Sequence, residues 1–257
     1  MTTPGAHIDG LLGRMGALLE PMVAEEDPRR FFLAVYMRTT AAVKAELVAP
    51  SHGGFEDTAW TEAWDIAFAD LYLDALQRWN EDGSAPGPWQ VAFIAGSDGL
   101  RVPPIRHLLL GMNAHINYDL PQALLAVISD EEFDDADLVE RRARDHRRID
   151  DILASRVPQE DRLLKSAEQP GDRTALDKAL TPFNRAGTKR FLREARGKVW
   201  RNARVLTAAR SEGPAAMKAR LDELGARSAE RVADLRRPGQ VLLRLSREGF
   251  GILLEGA

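Results

Sequence analysis

The chain has 257 residues, 44% of them hydrophobic and 29% charged, a balance that buries a sizeable core and excludes an intrinsically disordered protein. It contains no cysteine, which excludes disulfides, thiolate metal sites and cysteine nucleophiles and fits a reducing compartment. The net charge of −4 hides an asymmetry, since residues 185–237 carry 15 Lys/Arg against 6 Asp/Glu. Solvated basic helices facing an acidic remainder account for this, and without aromatics interleaved among the basic residues nucleic acid is not the expected partner.

Residues 1–10 place no basic residue ahead of an apolar run, so no secretory signal is expected. Apolar stretches are interrupted well before the roughly 18 residues a membrane span needs, so the expectation is a soluble, cytoplasmic protein without a membrane partner. Apolar residues recur at helical spacing almost throughout, and period-two alternation is nearly absent. The first predicted helix covers about Gly5 to Val23. Asp27-Pro28 supplies a cap and a first-turn proline for a second helix running to about Leu47, with Phe32, Val35, Tyr36, Thr39, Val43 and Leu47 on its inner line.

After a loop at 50–54, a third helix from about Thr58 to Trp79 carries Trp60, Trp64, Phe68, Leu71, Ala75 and Trp79 on one face. Asp65 and Tyr72 flank that face. Turn residues at 82–88 break the chain, and a short helix follows near Trp89 to Ala95. Pro103-Pro104 opens a central helix that is expected to kink at Pro121 and continue to Val127. Ser129 and Glu132 form a capping box for a helix reaching about Ser155. The polar stretch 158–173 reads as a mobile connection, before two basic helices at about Ala186 to Ala209 and Pro214 to Leu235. An amphipathic segment from Gln240 to Leu254 docks the C-terminal end. The sum is an all-α, single-domain bundle of eight or nine helices around a buried central helix at about 103–127.

That central helix is apolar on nearly all sides yet carries polar groups. A helix of this kind is buried, and each unpaired polar group on it costs about 1–3 kcal/mol. His115 and Asp119 lie one turn apart on one face; Asn113 and Asn117 line the opposite side with Arg106. Gly111 fits a close approach by another backbone or a ligand. In the helix near 135–155, His146 and Asp150 repeat the i, i+4 spacing on the inward side with Val139, Ala143, Ile149 and Leu153. Tyr36, Arg38 and Thr39 stand where they either border a pocket or belong to the core. No nucleophile elbow, P-loop or dinucleotide fingerprint is present.

The segment Gly111-Met-Asn-Ala-His-Ile-Asn-Tyr-Asp-Leu-Pro121 resembles the signature of a bacterial, largely actinobacterial, helical family known only as a domain of unknown function. Phe31 to Thr40, Trp64 to Ala75 and Ala195-Arg-Gly-Lys-Val-Trp200 resemble its other blocks, so the resemblance covers most of the chain. It implies an all-helical fold and no established activity. In spacing alone, His115-x3-Asp119 and His146-x3-Asp150 are similar to the metal-binding pairs of zinc-dependent phospholipase C and related single-strand nucleases. The chain departs from that pattern at Leu125, where those enzymes place a histidine, and in lacking their N-terminal tryptophan ligand.

Three readings follow. In the first, His115, Asp119, His146 and Asp150 hold a divalent metal (zinc, iron or manganese) for hydrolysis, or in a variant for oxygenation, of a small molecule. His115, Asp119, Asp65 and Tyr72 are then the catalytic candidates, and Asn113, Asn117, Arg196 and Trp200 the substrate-binding ones. In the second, a metal-free enzyme or binding protein holds a small organic molecule in an apolar pocket. In the third, the cluster only fixes helix packing in a structural or interaction module.

Overall fold

The computed structural model describes residues 5–51, 53–95, 102–168, 184–237 and 249–257, with residues 184–192 described by their backbone alone. All regular structure among these residues is helical, and no strand occurs. The helices are α1 (Ala6–Ala24), α2 (Arg30–Val48), α3 (Thr58–Asp82), α4 (Gly87–Phe93), α5 (Pro104–Ala114), α6 (Leu120–Val127), α7 (Asp130–Asp134), α8 (Ala136–Ser166), α9 (Asn184–Glu212) and α10 (Pro214–Arg236). A π-helical turn, His115–Asp119, joins α5 to α6, so 104–127 is one continuous rod. Counted that way, the described residues form nine helical rods. No helix among them is long and apolar enough to cross a membrane.

Local chemistry sets the helix ends. Asp57 accepts a hydrogen bond from the Trp60 amide at 2.9 Å and starts α3, while Gly83, at φ 75°, stops it. The buried Asp145 of α8 accepts from the Glu56 and Asp57 amides at 2.7 and 2.9 Å, so the start of α3 is anchored on α8. The Ser129–Glu132 capping box is present, but it caps the five-residue α7. The long helix begins afresh at Ala136 with Asp135 as its cap.

α8 also runs beyond the expected end near Ser155, through Pro158 to Ser166. Its extra turns are held by the buried Glu160, which takes hydrogen bonds from Arg38 on α2 and Arg156, and by the buried Leu164. The expected mobile connection at 158–173 is therefore helical as far as Ser166, and its part from 169 onward lies outside the described residues. Of the expected segment Gln240 to Leu254, residues 240–248 also lie outside them. The remainder, 249–254, docks as non-helical chain, as do the three residues that follow it.

The central rod is packed on every side. α2 lies against α5, α3 against α6, α9 against the π turn and α6, and α10 against α4 and α5. Its π turn has a local cause. Pro121 has no amide proton and would crowd the carbonyl four residues back in a regular helix. Widening the preceding turn, so that the Leu120 amide bonds to the His115 carbonyl five residues back, makes room for it.

Candidate functional site

Gly111 is where the interior begins to be built. A Cβ there would lie 2.7 Å from Cδ2 of Phe32, so the absence of a side chain lets the Phe32 ring lie directly on the central rod. The close approach is thus made by an aromatic side chain. Phe32 in turn stands edge-on to His115, one turn further along, with ring centroids 5.7 Å apart.

His115 sits inside an aromatic box. Phe68 of α3 stacks on its ring at 3.5 Å between centroids and 7° between planes. Tyr36 of α2 stands edge-on at 4.6 Å, and Tyr72 of α3 and Trp89 of α4 close the box at 6.0 Å each. Phe68 and Tyr72 share a face of α3 because they are four residues apart.

One ring nitrogen of His115 is fixed and the other is open. Nδ1 lies 2.8 Å from Oδ2 of Asp119, and the same oxygen accepts the Trp89 indole N–H at 2.9 Å. Nε2 is buried without a partner, as are the hydroxyls of Tyr36 and Tyr72 and Oδ2 of Asp65. After burial itself, the Asp65 charge is the largest influence on the Tyr36 hydroxyl. Three of these atoms, on Tyr36, Tyr72 and His115, thus belong to one box of α2, α3 and the π turn, and Asp65 reaches it through its charge on Tyr36. Left empty, each would cost about 1–3 kcal/mol.

Burial also controls their protonation. It pushes the Asp119 carboxyl well above its ordinary value, opposed by the Trp89 N–H, and holds His115 well below its own, so the imidazole is neutral. Burial, reinforced by Glu62, raises Asp65 to about 7. The tyrosine hydroxyls are driven far up by burial and stay protonated. The neighbourhood thus holds one imidazole and two phenolic hydroxyls among aromatic rings, with a buried carboxyl that titrates near neutrality acting on it.

The second His/Asp pair is arranged differently. Asp150 does not meet His146; its Oδ1 lies 2.6 Å from Nε of Arg196 on α9. Arg196 also donates from Nη1 to the backbone carbonyl of His146 at 3.0 Å, and Trp200 donates its indole N–H to His146 Nδ1 at 3.0 Å. The His146 ring stands edge-on to Trp64 at 5.0 Å. Trp64 stacks on Phe68, which stacks on His115, so the two histidines lie along one aromatic face of α3.

The expected four-ligand metal set is not assembled. Asp119 is engaged by His115 and Trp89, Asp150 by Arg196 and His146 Nδ1 by Trp200, and among the described residues no group of three or more His, Asp or Glu side chains is placed to hold a metal ion. The physical reason is that i, i+4 spacing puts a His and an Asp on one helix face but does not decide whether they face each other or a neighbouring helix. Asn113 and Asn117, expected to touch substrate, both donate to the Phe250 carbonyl, at 3.1 and 3.0 Å, and Oδ1 of Asn117 accepts from the Ile252 amide at 3.1 Å. Arg196 and Trp200, expected to do the same, are turned onto His146.

Tyr72, His115 and Asp119 are brought together in the box, and Asp65 acts on it by charge through Tyr36. Sequence reasoning placed Tyr36 on the border between pocket and core and gave no part to Trp89. The i, i+4 spacing of Phe32 and Tyr36, which puts both rings on one face of α2, is the signal that would have promoted Tyr36. No signal marks Trp89, whose role depends on how α4 docks. A surface hollow of about 500 Å3 between α2 and α8, floored by Ala41, Ala42, Ala45 and Ala49, offers shape with little free chemistry. Arg38 and Arg156 on its rim are engaged by Glu160, and Glu46 by Ser51 and Gly54.

No curated protein and no solved structure matches the chain. A family model, described as a family of unknown function (DUF5995), matches residues 8–238. The chain belongs to that family.

Proposed function

We propose that this member of the family is a metal-free acid–base enzyme acting on a small, uncharged organic molecule held within the aromatic box around His115. The observation that carries the reading is the set of partnerless buried atoms His115 Nε2, Tyr36 Oη and Tyr72 Oη in one box, with Asp65, its Oδ2 also partnerless, acting on it by charge. A fold with no use for them would do better with Phe at 36 and 72 and an apolar residue at 65, because unpaired buried polar groups only subtract stability. Such groups persist where a ligand completes them.

The roles follow from chemistry. Asp119 orients the His115 ring through Nδ1, leaving Nε2 to face the ligand. With Asp119 as carboxylate, Nδ1 carries the proton and Nε2 accepts one. With Asp119 protonated, Nε2 carries the proton and donates it. Tyr36 and Tyr72 are hydrogen-bond donors to ligand oxygen or nitrogen, and Asp65, titrating near 7, gives or takes a proton at working pH. Phe32, Phe68 and Trp89 supply the walls, which suit an apolar or aromatic body and exclude water.

The test pairs ligand screening with removal of the open atoms. A library of neutral small metabolites is incubated with the protein, and depletion is followed by mass spectrometry alongside thermal melting. Turnover or a raised melting temperature is expected for the wild type, and its loss in His115→Gln and Tyr36→Phe. A Tyr36→Phe protein that is less stable than wild type, with no compound bound by either, would instead mean that the cluster serves packing alone.

A further inference from the structure

The proposed site accounts for His115 but leaves a second buried histidine unexplained. His146 on α8 is fully buried, and the protein grips it twice from α9. Trp200 holds its ring and Arg196 holds its backbone carbonyl, with Asp150 balancing the Arg196 charge. Burying an Arg–Asp pair is costly, because both ions lose their hydration. That it stands behind a single histidine points to a fixed orientation for that ring.

Its orientation has a chemical consequence. An indole N–H can only donate, so Nδ1 of His146 must accept and carries no proton. The ring is neutral: burial, followed by the nearby Arg196 and Arg147, holds it well below its ordinary value. A neutral imidazole with a bare Nδ1 carries its proton on Nε2, and that nitrogen has no partner. His146 therefore presents an N–H donor with nothing to donate to. The contrast with His115 is one of partner type: a carboxyl on Nδ1 can leave the other nitrogen basic, whereas an indole on Nδ1 leaves it a donor.

We infer that His146 Nε2–H is a ligand-binding donor at the far end of the site, recognising a neutral acceptor oxygen of carbonyl or amide type. The inference rests on the reading of His115 as the acid–base end, and it adds the chemical class of the molecule that spans the two. The indole nitrogens of Trp60 and Trp64, on the face of α3 beside His146, are also buried N–H donors without partners. This end of the neighbourhood is thus donor-rich. Because Asp150 matches the charge of Arg196 and Glu140 that of Arg147, these groups offer hydrogen bonds without surplus positive charge, which favours a carbonyl over a carboxylate. Arg196 and Trp200 are positioning residues: they act on the ligand only by fixing His146.

Long-range proton–nitrogen NMR on the full chain carrying 15N-histidine tests this directly. His146 is expected as the neutral Nε2–H form from pH 5 to pH 8, and Trp200→Phe, which removes the fixing indole, is expected to give a mixture of both neutral forms. Benzamide added to the wild type is expected to shift the His146 Nε2 resonance, and ethylbenzene, of similar shape without the oxygen, to leave it in place. A proton on Nδ1, a charged ring at neutral pH, or an equal response (including none) to the two compounds would overturn the inference. The His115 resonances separate the two claims. If they respond to either compound while His146 stays silent, the acid–base site stands and the donor assignment falls.

Discussion

The two sides of the rod at 104–127 treat their polar groups in opposite ways. On one side, Asn113 and Asn117 face the C-terminal residues and grip them as a neighbouring strand would. Both donate to the Phe250 carbonyl, Asn117 also accepts from the Ile252 amide, and Asn202 on α9 continues the pattern by donating to the Ile252 carbonyl and accepting from the Leu254 amide. Phe250, Ile252 and Leu254 bury their side chains beneath this ladder. On the other side, His115 has one nitrogen held, and the atoms around it lack partners. Both sides are buried and both are polar. On the first side only Oδ1 of Asn113, among the three asparagine amides, is unpaired; a network so largely satisfied specifies a packing arrangement, whereas an open one reserves room for chemistry.

The largest expected effect lies on the open side, at Asp65. Its pKa rises from 3.8 to about 7 on folding, so the folded state holds a proton that the unfolded chain has released over that interval. The contribution of Asp65 to folding stability should then be highest below about pH 4, fall as the pH rises, and level off above 7. The full penalty is about 4 kcal/mol. Asp65→Asn should therefore match the wild type at pH 4 and exceed it by about 4 kcal/mol at pH 8, as urea unfolding across that range would read. An advantage of equal size at both pH values would mean that Asp65 is not protonated by folding, and the open side would lose its neutral-pH acid.

On the satisfied side the sign reverses. Asn117→Ala removes two buried hydrogen bonds and leaves the Ile252 amide alone, at a cost of about 3 kcal/mol. Amide exchange at Ile252 should accelerate in step, because the C-terminal segment loses its anchor there. Unchanged stability and exchange would show that the asparagine ladder does not hold that segment, and the contrast between the two sides would collapse.

Much of the fold was legible because helical periodicity, caps and prolines act locally. The second and third helices, the Pro103–Pro104 start and the Ser129–Glu132 box follow from neighbouring residues alone. Boundaries failed where tertiary contacts extend a helix, as Glu160 does for α8 by bonding Arg38. The π turn was missed because its cause, Pro121, reads equally well as a kink. At the site, periodicity correctly put His115 and Asp119 on one face, where they bond. The same rule applied to His146 and Asp150 was insufficient, since Arg196 and Trp200 arrive from a helix about 50 residues away. Asn113 and Asn117 look like ligand contacts for the same reason: a buried amide demands a partner, but the sequence does not say whether that partner is a ligand or the chain's own carbonyl.

The smallest effect is the most discriminating. Tyr72 is buried, and its hydroxyl has no partner, while its ring packs edge-on to Phe32 at 5.0 Å and against Trp89 at 4.8 Å. Tyr72→Phe keeps the ring and removes only the unpaired oxygen, so unfolding should become harder by about 1 kcal/mol. Were the hydroxyl instead satisfied by a buried water, the same change would remove a hydrogen bond and cost about as much. The sign therefore reports whether the hydroxyl is open, and binding reports whether a ligand uses it. A protein stabilised by Tyr72→Phe yet poorer at holding the metabolite found by screening would place Tyr72 among groups kept for the ligand at the expense of stability. A destabilised one would place it with Asn117, as part of the scaffold.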